Sequence, residues 1–519
     1  MMNKKLIKIG AVLMTIVMLV SMFTFTSSAY IAYNTYEFNY YGEALAAPST
    51  YTPEAVYYGT DLGVGVFNNA VDLYVSPQTE VYVLDYFGTE NEARLHIFDS
   101  NFKHITTLTT LTYNGNPYQM RLPESVTVDK YGYIYICDTG NKQVIKLDKD
   151  KSGKIIQIIT APKTELFSGE FNPSKVAIAK NMSLYVISTS TLDGIMEFSK
   201  DGVFLRYFGA PDVSLSVMEM ATMAWRRVYR SIIGQQASDV FVTFVPTEFV
   251  NLVVDDYGFV YAVVASTGNS EKTNQLKKMN FLGNGVLDPN AKSTKKKSTK
   301  LSETYGDLVQ ASTIGTNVFK DVAVDSEGYI TMMDTGLGKL FEYDAEGNMT
   351  AVYGTKGKQL GLLQKPVAIA KLGNKTLVLD NYFGSITVFG LTEYGETLHT
   401  AINLYDQGLY NEAESYWQEI LKNNANCELA HIGIGKVYYQ YGRYKEALDH
   451  FKIANDRMNY ESAFALYRES LIADHFDLIM TSLVVLVVLM LVWKFFGKTI
   501  IKAIKEKKQG GGDDDTDFE

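Results

Sequence analysis

Six stretches of this 519-residue chain share one spacing. The clearest copy, "PESVTVDKYGYIYICD", has its ends, Pro123 and Asp138, fifteen positions apart. Within it Tyr133-Ile134-Tyr135-Ile136 alternates with the period of a half-buried strand. Asp138-Thr139-Gly140-Asn141 carries turn chemistry, and Val144-Ile145-Lys146-Leu147 resumes the strand. The same spacing joins Ala70 to Asp85, Pro173 to Ser188, Phe249 to Val264 and Phe319 to Asp334; Pro366 to Asp380 is one residue shorter. In most copies a second strand pair follows, as in "RLHIFDSNFKHITTL", "GIMEFSKDGVFLRYFG", "KLFEYDAEGNMTAVYG" and "SITVFGLTEYGETL". Each unit therefore reads as four strands in two hairpins. Units of this kind at periods of roughly 40–50 residues point to a β-propeller. Starts at 70, 123, 173, 249, 319 and 366 give six blades. A ring hides strand edges that an open array would leave exposed.

The units resemble NHL repeats, whose pattern is a Pro-led first strand, a D-x-x-G turn, a Y-V-x-D second strand and an N-x-x-I third strand. Asp129-Lys130-Tyr131-Gly132 with Asp138-Thr139-Gly140-Asn141, and Asp325-Ser326-Glu327-Gly328 with Asp334-Thr335-Gly336, carry the resemblance. It covers about residues 65–395; blades 1, 3 and 4 are degenerate. The resemblance implies an all-β six-bladed propeller and says little of function.

The strand-end aspartates Asp85, Asp138, Asp334 and Asp380 recur with the repeat. A short carboxylate before a turn accepts backbone N–H bonds, so these are read as structural rather than catalytic. Function is expected where the first strands line the central channel. Two residues after each repeat start stand Asp72, Ser125, Lys175, Asn251, Asp321 and Ala368, with Glu124 and Lys320 one place earlier. Asp72, Glu124, Lys175, Asn251 and Asp321 are the candidate ligand-binding residues. A ring with charges of both signs suits a neutral, hydroxyl-rich molecule such as a glycan. It could equally be a hydrated channel mouth.

The flanks set the compartment. Lys4, Lys5 and Lys8, an apolar run from Ile9 to about Phe25 and then Ser27-Ser28-Ala29 read as a signal peptide over 1–29, or as an uncleaved anchor. A Tyr-rich leader, 30–64, is read as an edge segment tied to the propeller. Residues 476–496 form a transmembrane helix, long enough to cross a bilayer at ~1.5 Å per residue. Lys494, Lys498, Lys502, Lys505, Lys507 and Lys508 cluster at its end and place the C-terminus in the cytoplasm and the rest outside. The tail, 497–519, turns from basic to acidic. Two insertions interrupt the blades. Residues 211–247 have an apolar helical face with Arg226, Arg227 and Arg230, and 267–302 hold eight lysines read as a solvated loop. Between propeller and membrane, over 396–475, "GLYNEA" at 408 recurs as "GRYKEA" at 442, the thirty-four-residue period of tetratricopeptide repeats.

A net charge of −10 and a pI of about 5.3 argue against a nucleic-acid binder. Cys137 and Cys427 alone exclude a disulfide scaffold. His96, His104, His399, His431, His450 and His475 show no ligand spacing, and no nucleophile elbow or phosphate loop is present. No cofactor or metal is expected. The domain order resembles NHL-repeat surface proteins of Gram-positive, clostridial-type bacteria, whose genes often lie beside carbohydrate ABC-transporter components. That resemblance implies a membrane-anchored binding or scaffold protein outside the cell, with sugar-transporter components or other surface proteins as partners. The alternative is a lactonase-like propeller hydrolase, with a divalent metal held by Glu124, Asn251, Asp72 and Asp321. Lys175 and Lys320 nearby disfavour a bound cation.

Overall fold

A computed structural model describes residues 33–509 apart from 40, 88–91, 165–166, 168–169, 190–193, 210–248, 265–274, 288–304, 308–316 and 360. The signal segment 1–29, the insertion 211–247, most of 267–302 and the tail from 510 lie outside the described residues. The chain divides into two compact units, 1–403 and 404–519.

The first unit is a six-bladed β-propeller. Blades 1, 3 and 5 are four-stranded antiparallel meanders, running in sequence order from the inner strand outward. Blade 2 has the same four strands and is widened by the hairpin Leu111–Tyr118. Blade 4 has three strands among the described residues. Its third, Leu276–Met279, falls inside what the lysine count marks as a solvated loop. Lys277 and Lys278 instead lie along the blade with their ammonium groups over the rings of Phe249, Phe259 and Tyr261.

Blade 6 departs from the sequence expectation. Residues after Leu391 do not supply its fourth strand; Glu393–Asp406 is a helix, α1. The outer place is taken by Tyr51–Tyr58 from the leader, antiparallel to Ser385–Leu391. The propeller thus begins near 51, not 65, and the N-terminal segment closes the ring.

Closure is visible in the packing, because every blade shares a core with both neighbours. Leu84 and Leu95 meet Val126 and Ile145 between blades 1 and 2. Tyr135 and Val144 meet Val186 and Phe198 between 2 and 3. Tyr185 and Phe208 meet Leu252 and Ala262 between 3 and 4. Tyr261 and Val263 meet Met332 and Phe341 between 4 and 5. Met333 and Tyr353 meet Val378 and Phe389 between 5 and 6. Leu377 and Ile386 then meet Leu73 and Phe98, which returns the ring to blade 1. Each such side chain contributes about 1.5–3 kcal/mol on full burial.

The D-x-x-G signature is a tight turn with a built-in cap. Asp129 Oδ1 accepts the backbone N–H of Tyr131 and of Tyr133, and Asp325 Oδ1 does the same for Glu327 and Tyr329. Gly132 and Gly328 sit at φ of 90° and 93°, where a side chain is disfavoured. The strand-end aspartates are caps as well. Asp380 accepts from the backbone of Gln364, Lys365 and Tyr382, and Asp85 from that of Asn69.

The second unit is helical: α2 Tyr410–Asn423, α3 Glu428–Gln440, α4 Tyr444–Ile453, α5 Arg457–Asp474 and α6 Phe476–Gln509. The thirty-four-residue repeat puts Gly408 and Gly442 at equivalent left-handed turns, φ 79° and 72°. Gly433 lies against the Trp417 indole and Gly435 against the Phe451 ring, so closely that a Cβ would fall within 2.5 and 2.6 Å of them. Small residues there let adjacent helices approach. Within the helical stretch Phe476–Lys507 an eighteen-residue window has a mean hydropathy of 2.5, and the helix is long and apolar enough to cross a membrane.

Candidate functional site: the axial ring and its cavity

The six inner strands line the axis of the propeller. In five of them the pairing register shifts at one place: between Ala70 and Asp72, Pro173 and Lys175, Phe249 and Asn251, Phe319 and Asp321, and Pro366 and Ala368. A bulge re-aims the side chain that follows it. The residues so placed are Asp72, Lys175, Asn251, Asp321 and Ala368; in blade 2 the strand begins at the equivalent Ser125. They form a ring whose polar members other than Lys175 are at least nine-tenths buried.

The ring is held across the axis by charge. Lys175 Nζ lies 3.0 Å from Asp72 Oδ1, joining blades 1 and 3. Val126 N donates to Asp72 Oδ2 at 2.8 Å. Asp321 Oδ1 accepts from Val322 N at 2.8 Å and Oδ2 from Ile369 N at 2.7 Å, tying blade 5 to blade 6. Burial opposes the charge on Lys175, but Asp72 and then Asp321 outweigh it and hold its pKa above the ordinary lysine value. Burial pushes the Asp321 carboxyl up; Lys175 pulls it down and Asp72 pushes it up again, leaving it at about 6. Asn251 Oδ1 and Ser125 Oγ are buried with no hydrogen-bond partner.

On one side of the ring lies a cavity of about 150 Å³. Lys175, Asn251 and Asp321 line it at the ring, Tyr74 and Thr127 along its wall, and Lys371 further along the blade 6 inner strand, with aliphatic side chains between. Of the five residues the sequence singles out, the structure joins Asp72, Lys175 and Asp321 electrostatically and puts Asn251 on the same cavity. Glu124 is exposed and does not line the cavity. It stands one residue before Ser125, at the place the bulge residue takes in the other blades, and partial desolvation holds its pKa above the ordinary carboxylate value despite Lys320.

Lys371 belongs to a second buried cluster that sequence reasoning misses. Its Nζ is 3.0 Å from Glu342 Oε2, which also accepts from Tyr51 OH at 2.7 Å. Glu342 Oε1 is 2.9 Å from His399 Nε2 of α1. The His399 ring stacks on Tyr329 at 3.8 Å and 7°. Burial would raise the Glu342 pKa, but Lys371 and His399 overcome it and hold the group well below the carboxylate range. One signal was available. The matched third-strand position carries Lys146 and Lys278 in blades 2 and 4, each over a tyrosine, whereas blade 5 has Glu342 opposite Thr331.

A divalent metal does not fit this ring. All four oxygens of Asp72 and Asp321 already accept from Lys175 or a backbone N–H, and the lysine ammonium sits where a cation would. No group of three or more His, Cys, Asp or Glu residues suited to a metal occurs among the described residues.

No protein-family profile matches the chain. Two curated relatives do, both called NHL repeat-containing protein 3. The human protein is 34% identical over 93 residues, 18% of this chain and 26% of the relative; the mouse protein is 36% identical over the same length. A 93-residue stretch of this chain is thus similar to NHL-repeat proteins. The chain spans about a quarter of the length of those relatives. Among solved structures, a virginiamycin B lyase from Staphylococcus aureus is 11% identical, with 66% of this chain and 100% of that one covered and a TM-score of 0.38. A gluconolactonase from Xanthomonas campestris is 10% identical, covering 67% and 98%, with a TM-score of 0.38. A calcium-binding regucalcin from Agrobacterium tumefaciens is 14% identical, covering 67% and 96%, with a TM-score of 0.36. None of them lends this chain an activity.

Proposed function

We propose that the protein is a membrane-anchored, extracytoplasmic binding and scaffold protein that serves carbohydrate capture, with sugar-transporter components as its partner class. The observation that carries the binding reading is the axial ring. Its carboxylates are committed to Lys175 and to backbone N–H groups of neighbouring blades, which leaves neither a metal set nor an activated nucleophile. Beside the ring a cavity remains, and one polar atom of its lining, Asn251 Oδ1, is still unsatisfied, which is the chemistry of recognition. The apolar helix α6 supports the anchor, and the lysines at its C-terminal end support a cytoplasmic C-terminus. The thirty-four-residue helical repeat is read as a tetratricopeptide-type docking spacer.

The test combines topology and partners. Intact cells are labelled with a membrane-impermeant amine reagent, and the chain is then purified in mild detergent. Labelled propeller lysines such as Lys180, unlabelled Lys505 and Lys507, and co-purifying transporter subunits are expected. Labelling of the C-terminal lysines from outside would overturn the orientation, and a chain recovered with neither partner nor sugar would overturn the function.

A further inference from the structure

The charges around the axial cavity do not balance. At the ring, Asp72 and Asp321 face a single cation, Lys175, and Lys175 hydrogen-bonds Asp72. Asp321 is buried with two backbone N–H donors and no hydrogen-bonded cation. Further along, the Lys371 charge is cancelled by Glu342, and the largely buried Asp325 adds negative charge nearby. Beside Asp321 on the cavity wall stands Asn251, 8% exposed, whose Oδ1 has no donor. Ser125, fully buried at the equivalent ring position of blade 2, also has no partner for its hydroxyl. In the other blades carrying a ring carboxylate, that side chain takes a backbone N–H from the next blade. Asn251 cannot do so, because Val322 N is already given to Asp321. The cavity wall therefore has one acceptor, Asn251 Oδ1, without a donor, and the ring has two carboxylates to one lysine. A buried acceptor left unpaired costs about 1–3 kcal/mol, so a molecule that supplies the missing donor is bound favourably.

We propose that the cavity binds one small molecule carrying a protonated primary amine and hydroxyl groups, in the class of a single amino-sugar ring, with the ammonium placed between Asp321 and Asn251. An ammonium has three N–H donors and no acceptor, which complements Asp321 and the Asn251 carbonyl. Lys175 forms one side-chain hydrogen bond, to Asp72, which leaves N–H capacity for the ligand's hydroxyl oxygens. Each Asp321 oxygen accepts one backbone N–H and keeps a second lone pair for an ammonium N–H, whereas a bare divalent ion would need about six oxygens at once and would have to displace Lys175 and the backbone donors. The size follows from the volume. About 150 Å³ is roughly ten times the ~15 Å³ that holds one water, and it is smaller than the roughly 300–1,000 Å³ of drug-sized pockets. One ring fits and a chain of several does not. This inference rests on the binding reading above and replaces its neutral glycan, at this site, with a cationic one.

The test is calorimetric titration of the full chain in mild detergent at pH 7 with glucosamine, glucose, N-acetylglucosamine, potassium chloride and calcium chloride. Glucosamine is expected to bind about tenfold or more tighter than the two uncharged sugars, as charge-assisted bonds exceed neutral ones. Asp321→Asn should reduce glucosamine to the level of glucose. Asn251→Leu should weaken it too, and it carries the test if the first variant fails to fold. Equal affinity for glucose and glucosamine, a preference unchanged in both variants, or saturable binding of potassium or calcium alone overturns the proposal. Absence of glucosamine binding in a chain that still co-purifies with transporter subunits or a glycan overturns this inference and leaves the scaffold reading standing. Absence of both ends both.

Discussion

Asp321 is a carboxylate whose surroundings work against its own charge, and that has a measurable consequence. Its folded pKa of about 6 lies above the ~3.9 of an unfolded aspartate. The folded state therefore holds a proton in a window where the unfolded state has lost it. The stability this group contributes is fully present below about pH 4 and disappears as pH rises through 6. The span is at most about 3 kcal/mol, at ~1.4 kcal/mol per pH unit. Asparagine at this place does not titrate. In ligand-free protein, the melting temperature of wild type minus that of Asp321→Asn should become more positive as pH is lowered from 7 to 4.5; a flat or reversed trend would remove the basis for a strained carboxylate. The ring itself was legible in the sequence. Counting two places from each repeat start reaches Asp72, Lys175, Asn251 and Asp321 because the bulge recurs at the same step in each of those four blades. Glu124 was not placed by charge alone, since it stands one residue short of the ring, just before the strand that begins at Ser125. The unpaired acceptor was illegible, because it depends on which backbone N–H each side chain takes from the next blade.

Among the elements, the strand Tyr51–Tyr58 matters more to the ring than its sequence suggests. It lies more than three hundred residues from its partner, outside every repeat, so no periodicity marks it. What marks it is contact. Tyr51 is fully buried, stacks on Tyr353 at 4.4 Å and donates to Glu342, which in turn holds Lys371 and the His399 of α1. Tyr51→Ala should cost about 3–5 kcal/mol, the range for losing a buried aromatic. The loss should be local. Hydrogen exchange should accelerate in Ser385–Leu391 and in α1 while the strands of blades 2 and 3 keep their protection. Unchanged protection in Ser385–Leu391 would show that closure does not depend on this strand, and uniform acceleration around the ring would contradict a local loss. The helix α1 was hidden from the repeat for a related reason. The glycine, tyrosine and threonine of "TEYGETL" satisfy the turn-and-strand pattern of the earlier units, and tertiary contacts decide in favour of helix. Gly395 packs against the Thr50 carbonyl, with an added Cβ only 2.4 Å from that oxygen, which anchors the first turn.

At the scale of the molecule, a closed six-bladed ring, a helical segment with a thirty-four-residue repeat and one long apolar helix follow one another along the chain. Blade count and the change of period near 396 were both legible, because turn chemistry and hydrophobic spacing are local properties that the chain repeats. What the ring is for was not, because the sequence shows charges in a column but not whether they are spent on one another. In the structure they are largely spent on one another and on backbone N–H groups, and the proposed function builds on that: an axis that recognises a small molecule without transforming it. Mass spectrometry on the full chain in mild detergent tests this most directly. The protein is incubated with sugars, amino sugars and sugar lactones, with and without calcium, and both the bound fraction and the solution are analysed. The account predicts an amino sugar retained at its original mass and lactones recovered intact under every condition. Lactones that gain the mass of one water in proportion to the protein present, and cease to do so when a chelator is added, would contradict it.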